Sequence, residues 1–342
     1  MLRRELVLAG AFGLAAAAVQ PRAMARATTP RYRRLRKGDV VAVVAPASVT
    51  YEKIELDYAG DVLRALGLEP RFGANVAKRF GYLAGEDGAR AADINAAFAD
   101  PAVAAVFALR GGWGSGRLLP LLDYAAIART PKLTLGYSDI TALLLALNAR
   151  SGLVGVHGPN LLSDWNPFVV EVLRELLFEG KRVEYRPHRP ETDSLATLEG
   201  RIQTLVPGVA EGELVGGNLT VFSSLVGTPY LPDMRGKLLF LEDVHEAVYR
   251  IDRAMTQLRL AGILDQVSGV VFGEFKDIPP ENGYGEFTLG EVLEQHCRAA
   301  GKPAFLGAAF GHVPENSAIP VGVRARMDAV AGVVSLLEPV VS

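Results

Sequence analysis

The sequence predicts a two-domain α/β protein whose first domain is built on a parallel sheet covered on both faces. Three observations point there. The chain has 342 residues, which is long for one hydrophobic core and suits two. From Gly38 onward, short apolar runs alternate with stretches of helical periodicity, and strand–helix–strand repetition of this kind builds parallel sheets. The 36 Gly and 20 Pro fall mostly at the joints between those runs, where short connections need them.

Taken in order, "DVVAVVAPAS" reads as a buried strand that ends in a Pro turn. Ile54, Tyr58, Val62 and Leu66 then mark one face of a helix. "EPRFG" is a second strand, and Ile94 with Phe98 belongs to a second helix. "VAAVFALRGGWGSG" is a strand running into a glycine-rich loop. "KLTLGYSD" and "GLVGVHGPN" are further strands, with a helix over 140–148 between them, and Leu173, Leu176 and Leu177 close this half with a helix. The stretch 186–212 carries Pro, Gly and charge but little periodicity, and predicts a linker between domains at 28–185 and 213–342. The second domain opens with a helix near 219–225 and the strand "KLLFLED". A helix with Val248, Ile251, Met255 and Leu258 on one face follows, then "VSGVVFGEF", a helix over 288–300, "AFLGAAFGH" and short closing strands through "GVVSLL".

Residues 1–27 read differently. Arg3 and Arg4 precede an uncharged run from Leu6 to Val19, and small residues cluster at 23–27. This is the three-part layout of an export signal, and the paired arginines point to the twin-arginine route and the periplasm. The apolar run is too short to span a bilayer comfortably, so no stable membrane insertion is expected. With 49% hydrophobic and 22% charged residues the remainder is ordinary globular composition, and a net charge of -2 gives no electrostatic reason to expect nucleic acid as a partner. Cys297 is the only cysteine, which rules out an intrachain disulfide.

Ligands of parallel sheets collect at the carboxyl ends of the strands. Ser138, the loop after Leu109 and His157 all lie at such ends. The five scattered histidines and one cysteine build no metal motif, and "GGWGSG" does not fit a dinucleotide fingerprint. What remains is nucleophilic catalysis, in which a serine needs a base and the base an orienting carboxylate. Ser138, in "GYSD", sits on the corner between a strand and a helix, which suits either a nucleophile or a helix N-cap. His157 and His312 both follow strands, and Glu242 and Asp243 both end one; position does not choose within either pair. Asp243 before "HEAVYR" also fits a helix cap, His245 could line the same cleft, and His188 and His296 read as surface residues. The glycine loop can bring N–H groups to a developing oxyanion. Gly112 and Asp139, the residue after the serine, are placed to supply them, and Trp113 offers either a substrate wall or packing between domains.

With these residues assembled, the chain resembles the LD-carboxypeptidase family of serine peptidases, the muramoyltetrapeptide carboxypeptidases. The resemblance runs from about Gly38 to Asp328 through "GDVVAVVAPAS", "ALRGGWGSGRLLPLLDY", "GYSDITALL", "HGPN", "VGGNLTVFSSLVGTPY", "LFLEDVHEAVYRIDRAMTQL" and "GHVPENSAIPVGVRARMD". It implies a flavodoxin-like or Rossmann-like N-terminal domain and a smaller C-terminal α/β domain with a barrel-like sheet. It also implies Ser138 as nucleophile, Glu242 as orienting carboxylate and His312 as base, with His157 left to a structural role. Murein stem peptides as substrate, no cofactor and a homodimer follow from the same resemblance. One departure from G-x-S-x-G is Ile140 in place of the second glycine, which predicts a wider gap between strand and helix. The microcin C self-immunity proteins are closely similar and cleave a different amide, a substrate that acts in the cytoplasm and fits an exported chain poorly. A non-catalytic binding protein for cell-wall peptides would be expected to lose a triad member, and all three are present.

Overall fold

The structure, a computed structural model, describes residues 32–189, 195–197, 200–278 and 287–342; the expected export signal lies outside them. Strands β1 (Val40–Val44), β2 (Glu69–Phe72), β3 (Val103–Ala108), β4 (Leu133–Gly136) and β5 (Gly155–His157) pair in parallel in the order β2-β1-β3-β4-β5. This is the flavodoxin-like order, with its switch point between β1 and β3. Helices cover both faces, so β3 and β4 bury nearly every side chain and read as continuous apolar runs rather than alternating ones. The helix Thr141–Ser151, which follows Ser138, is buried on all sides from Thr141 to Asn148, as the unbroken "TALLLAL" requires.

The remaining strands are β6 (Glu184–Tyr185), β7 (Gln203–Val206), β8 (Val209–Asn218), β9 (Leu238–Val244), β10 (Gly269–Lys276), β11 (Ala304–Gly311), β12 (Ile319–Val321), β13 (Arg324–Asp328) and β14 (Val333–Leu336). All but β12 form a second, curled half-barrel sheet in the order β6-β14-β13-β8-β9-β10-β11-β7, with β8 to β11 parallel at its centre. β12 instead joins the edge of the first sheet, antiparallel to β5, so the C-terminal half of the chain completes the N-terminal sheet. No helix among the described residues is long and apolar enough to cross a membrane.

Two sequence expectations change. The stretch 186–212 holds β7 and the start of β8, not only a linker. Its strand signal is weak because β7 is an edge strand burying only Leu205, and the first residues of β8 are half exposed on the curled sheet. In the helix Lys53–Ala65 the buried face is Ala59, Val62 and Leu63, continued by Leu66, while Ile54 and Tyr58 are 74% and 45% exposed. The face carrying Ile54 and Tyr58 is therefore turned to solvent, while Leu56 of the first turn packs against the core.

Candidate active site

β4 ends at Gly136, and a single 3-10 turn, Ser138–Ile140, leads into the helix Thr141–Ser151. Ser138 has φ +62°, a left-handed conformation that costs a non-glycine residue about 1–3 kcal/mol. That backbone turns the side chain out of the chain's path. The N-cap alternative fails, because neither the turn nor the helix takes a capping bond from it; the hydroxyl faces His312 instead. The wider gap expected from Ile140 is not needed. Its Cγ2 sits 2.8 Å from where a Gly136 side chain would begin, so the first glycine of the motif makes the room that the second usually provides.

Glu242 lies near the end of β9, and His312 directly follows β11. Both thus occupy the carboxyl edge of the second parallel sheet, facing the carboxyl edge of the first. Asn218 N–H donates to Thr141 Oγ1 at 3.0 Å, fastening the two sheets together behind the nucleophile corner. His312 Nδ1 is 2.7 Å from Glu242 Oε2, and His312 Nε2 is 3.1 Å from Ser138 Oγ. Burial opposes the charge on Glu242, yet the imidazoles of His157 and His312 outweigh it and hold the carboxyl well below the usual carboxylate range. An ionised Glu242 can only accept, so Nδ1 carries the proton and Nε2 offers its lone pair to the Ser138 hydroxyl. Burial pulls the His312 pKa down, but its hydrogen bond to Glu242 and that residue's charge raise it above the ordinary value. His312 Nε2 is thus placed to take the Ser138 proton, and the ionised Glu242 orients the ring and stabilises the imidazolium that forms.

His157 is fully buried below Glu242, with Nε2 at 3.7 Å from Oε1, too long for a hydrogen bond, and no other partner for either ring nitrogen. Its ring packs edge-on against Tyr137, Phe240 and Phe310. Asp243 is a cap, though of the helix Leu219–Ser224 rather than of the one after its own strand: it accepts from Thr220 N–H at 3.0 Å, Thr220 Oγ1 and Asn218 Nδ2 at 2.8 Å. Burial pushes its carboxyl above the ordinary range. His245 is exposed, at 3.7 Å from Asp277, whereas His296 is a correction: it is buried and pairs with Asp252 at 2.7 Å. His188 is half-buried against the Phe168 ring.

The glycine loop after β3 is held from several sides. Gly111 touches the corner, since a side chain there would begin 2.9 Å from Ser138 Cβ. Gly112 has φ +112°, and a Cβ there would collide with the Ser48 side chain, whose Oγ accepts from Trp113 N–H at 3.1 Å. The buried Asp139 carboxylate accepts from Ser115 N–H at 2.7 Å and from the Ser115 hydroxyl. Arg90, fully buried, donates to the carbonyls of Pro46, Gly85 and Gly114. Asn160 of "HGPN" accepts from Tyr137 N–H at 3.2 Å. Trp113 is 57% exposed on this loop, which argues against packing between the domains. Ser48, Arg90, Ser115 and Asn160 were not singled out from sequence. Three of them lie within the apolar-to-glycine blocks at strand ends, but Arg90 carries no such mark.

A strained serine, an imidazole and a buried carboxylate in this order have the geometry of a serine hydrolase on a flavodoxin-like sheet. The chain belongs to the LD-carboxypeptidase family: the family's N-terminal domain matches residues 41–158 and its C-terminal domain residues 211–327, which makes it a serine carboxypeptidase. A probable murein peptide carboxypeptidase of Bacillus subtilis (strain 168) is 40% identical over 86% of this chain and 91% of its own length. The crystal structure of a muramoyltetrapeptide carboxypeptidase from Oxalobacter formigenes matches with a TM-score of 0.75 at 31% identity, covering 87% of this chain and 97% of that one. The microcin C7 self-immunity protein of Escherichia coli is 29% identical over 83% of this chain and 88% of its own.

Proposed function

We propose that the protein is an exported serine LD-carboxypeptidase that releases the terminal D-alanine of murein tetrapeptides. The observation that carries the catalytic part is the relay Ser138–His312–Glu242, at 3.1 and 2.7 Å; the names of the murein peptidase relatives support the substrate. Ser138 Oγ attacks the carbonyl of the L-centre of the third residue while His312 Nε2 takes the hydroxyl proton. The oxyanion that forms faces the N–H groups of Gly112 and Asp139, each such donor contributing on the order of 10²–10³ in kcat. His312 then returns the proton to the departing D-alanine nitrogen. Water, activated by the same imidazole, releases the tripeptide from Ser138. Trp113 and the loop 111–116 supply a compact wall for a small leaving group.

Export through the twin-arginine layout of Arg3 and Arg4 places the enzyme in the periplasm, where its substrate is, and favours murein over a microcin-type amide. A homodimer belongs to the same proposal, checked by light scattering of the mature chain. The pH dependence follows from the relay. His312 must be neutral to accept a proton, so kcat/KM falls as pH drops through its pKa. That pKa is raised, which sets the acid limb above about 6.5, the reference imidazole value. A pH–rate profile with its limb well below that value would contradict the Glu242–His312 pair.

The substrate is tested by mass spectrometry of three peptides after incubation: the tetrapeptide, the pentapeptide ending in D-alanyl-D-alanine, and a tetrapeptide ending in L-alanine. Only the first is expected to be cleaved, to tripeptide and D-alanine. Equal loss of the last residue from the pentapeptide would overturn the LD assignment whatever the role of Ser138.

A further inference from the structure

We propose that Arg110 binds the terminal carboxylate of the departing residue, the group that distinguishes a carboxypeptidase substrate from an internal amide. The inference rests on the carboxypeptidase reading and names the part of the site that would select a chain end. A leaving amino acid is short: its carboxyl carbon lies within about 4 Å of the scissile carbonyl carbon along the chain. The cation that grips it must therefore be rooted within one side chain's length of Ser138. Arg110 meets that condition. The residue after it, Gly111, has no side chain, and one placed there would begin 2.9 Å from Ser138 Cβ and 3.2 Å from Ser138 Oγ.

The guanidinium also lies in the right crevice. Arg110 follows β3 by way of Leu109, and its Nη1 donates at 3.2 Å to the carbonyl of Val49, in the loop after β1. It thus bridges the loops of β1 and β3, the switch point of the sheet, where open α/β sheets take their ligands. That single bond leaves most of the five donors of the fork uncommitted.

Charge completes the case. Arg110 is half-buried and makes no ion pair among the described residues. The carboxylates around the site are already engaged: Glu242 by His312, Asp139 by Ser115, Asp243 by Asn218 and Thr220, and Asp87 by Arg90 and Arg117. A partly desolvated cation without a counter-ion is costly unless a ligand supplies one. A planar fork matches a carboxylate in a way that a lysine ammonium does not.

The test compares kcat/KM for the murein tetrapeptide and for the same peptide with its terminal carboxylate amidated, in the wild type, Arg110→Met and Arg110→Lys. In the wild type the free acid is expected to be preferred on the order of 10²–10³-fold, the range for losing one partner of a desolvated charge pair. In Arg110→Met that ratio collapses to near one, and in Arg110→Lys it falls between the two. Both substrates are measured on the same protein sample, so partial misfolding cancels from the ratio. If Arg110→Met slows both peptides equally and keeps the wild-type ratio, Arg110 only braces the β1 loop and the inference is wrong; a wild-type ratio near one refutes it equally. A wild-type enzyme that cleaves neither peptide refutes the carboxypeptidase reading itself, and the inference falls with it.

Discussion

Ser138→Ala is expected to lower turnover of the murein tetrapeptide on the order of 10⁴- to 10⁶-fold, because members of such a relay act as a unit. The residue would be lost without collapse of the site, since its side chain makes no bond that holds the corner in place apart from the one to His312. Stability should move the other way when the strain is removed as well. Ser138 holds φ +62°, so Ser138→Gly relieves about 1 kcal/mol or more of backbone strain. Calorimetry should show a higher Tm for this inactive variant than for the wild type. Substantial turnover in Ser138→Ala would make the serine a bystander, and a Ser138→Gly protein that melts lower than wild type would mean that the corner is not strained.

Glu242→Gln should have nearly as large an effect, on the order of 10⁴-fold in kcat, by changing the tautomer of the base. The amide can donate to His312 Nδ1, which then leaves its proton on Nε2, facing the Ser138 hydroxyl with a donor where an acceptor is needed. The acid limb of the remaining activity should also shift to lower pH. Glu242 raises the His312 pKa by hydrogen bond and charge, and burial, which lowers it, persists in the variant. Asp243→Asn provides the contrast. Asp243 holds Asn218 and Thr220 at the start of a helix, and its charge is the smallest of the influences that raise the His312 pKa, so its replacement should lower Tm and move the acid limb down far less than Glu242→Gln does. Stopped-flow and steady-state profiles of the two variants separate the roles that adjacent carboxylates leave ambiguous in the sequence.

The strands of the first sheet were legible because they are buried on both faces, which writes them as continuous apolar runs such as "VAAVFA". The helix after Ser138 was legible for the same reason. Edge and curled strands were not: β7 buries one side chain, and the start of β8 is half exposed, so composition looked like a linker. The helix Lys53–Ala65 carries Ile54 and Tyr58 at core spacing, yet both are turned to solvent and Leu56 packs against the core instead. Within the site, the corner at Ser138 was visible from a strand pattern giving way to a helix. Its partners were not, because His312 lies 174 residues away and His157 ends a strand just as well. Only resemblance separated them before the structure did, by placing His157 on the buried side of Glu242. The buried pairing of His296 with Asp252 and the clamp made by Arg90 depend on tertiary neighbours that no local pattern encodes.

The most direct test of Ser138 as nucleophile is titration with a fluorophosphonate. D-alanine release from the tetrapeptide is measured against the fraction of Ser138 modified, located by peptide mapping. Activity is expected to fall in proportion and to reach zero when Ser138 is fully modified. Activity that persists on fully modified protein, or loss of activity that tracks a different residue, would contradict a serine mechanism at this corner.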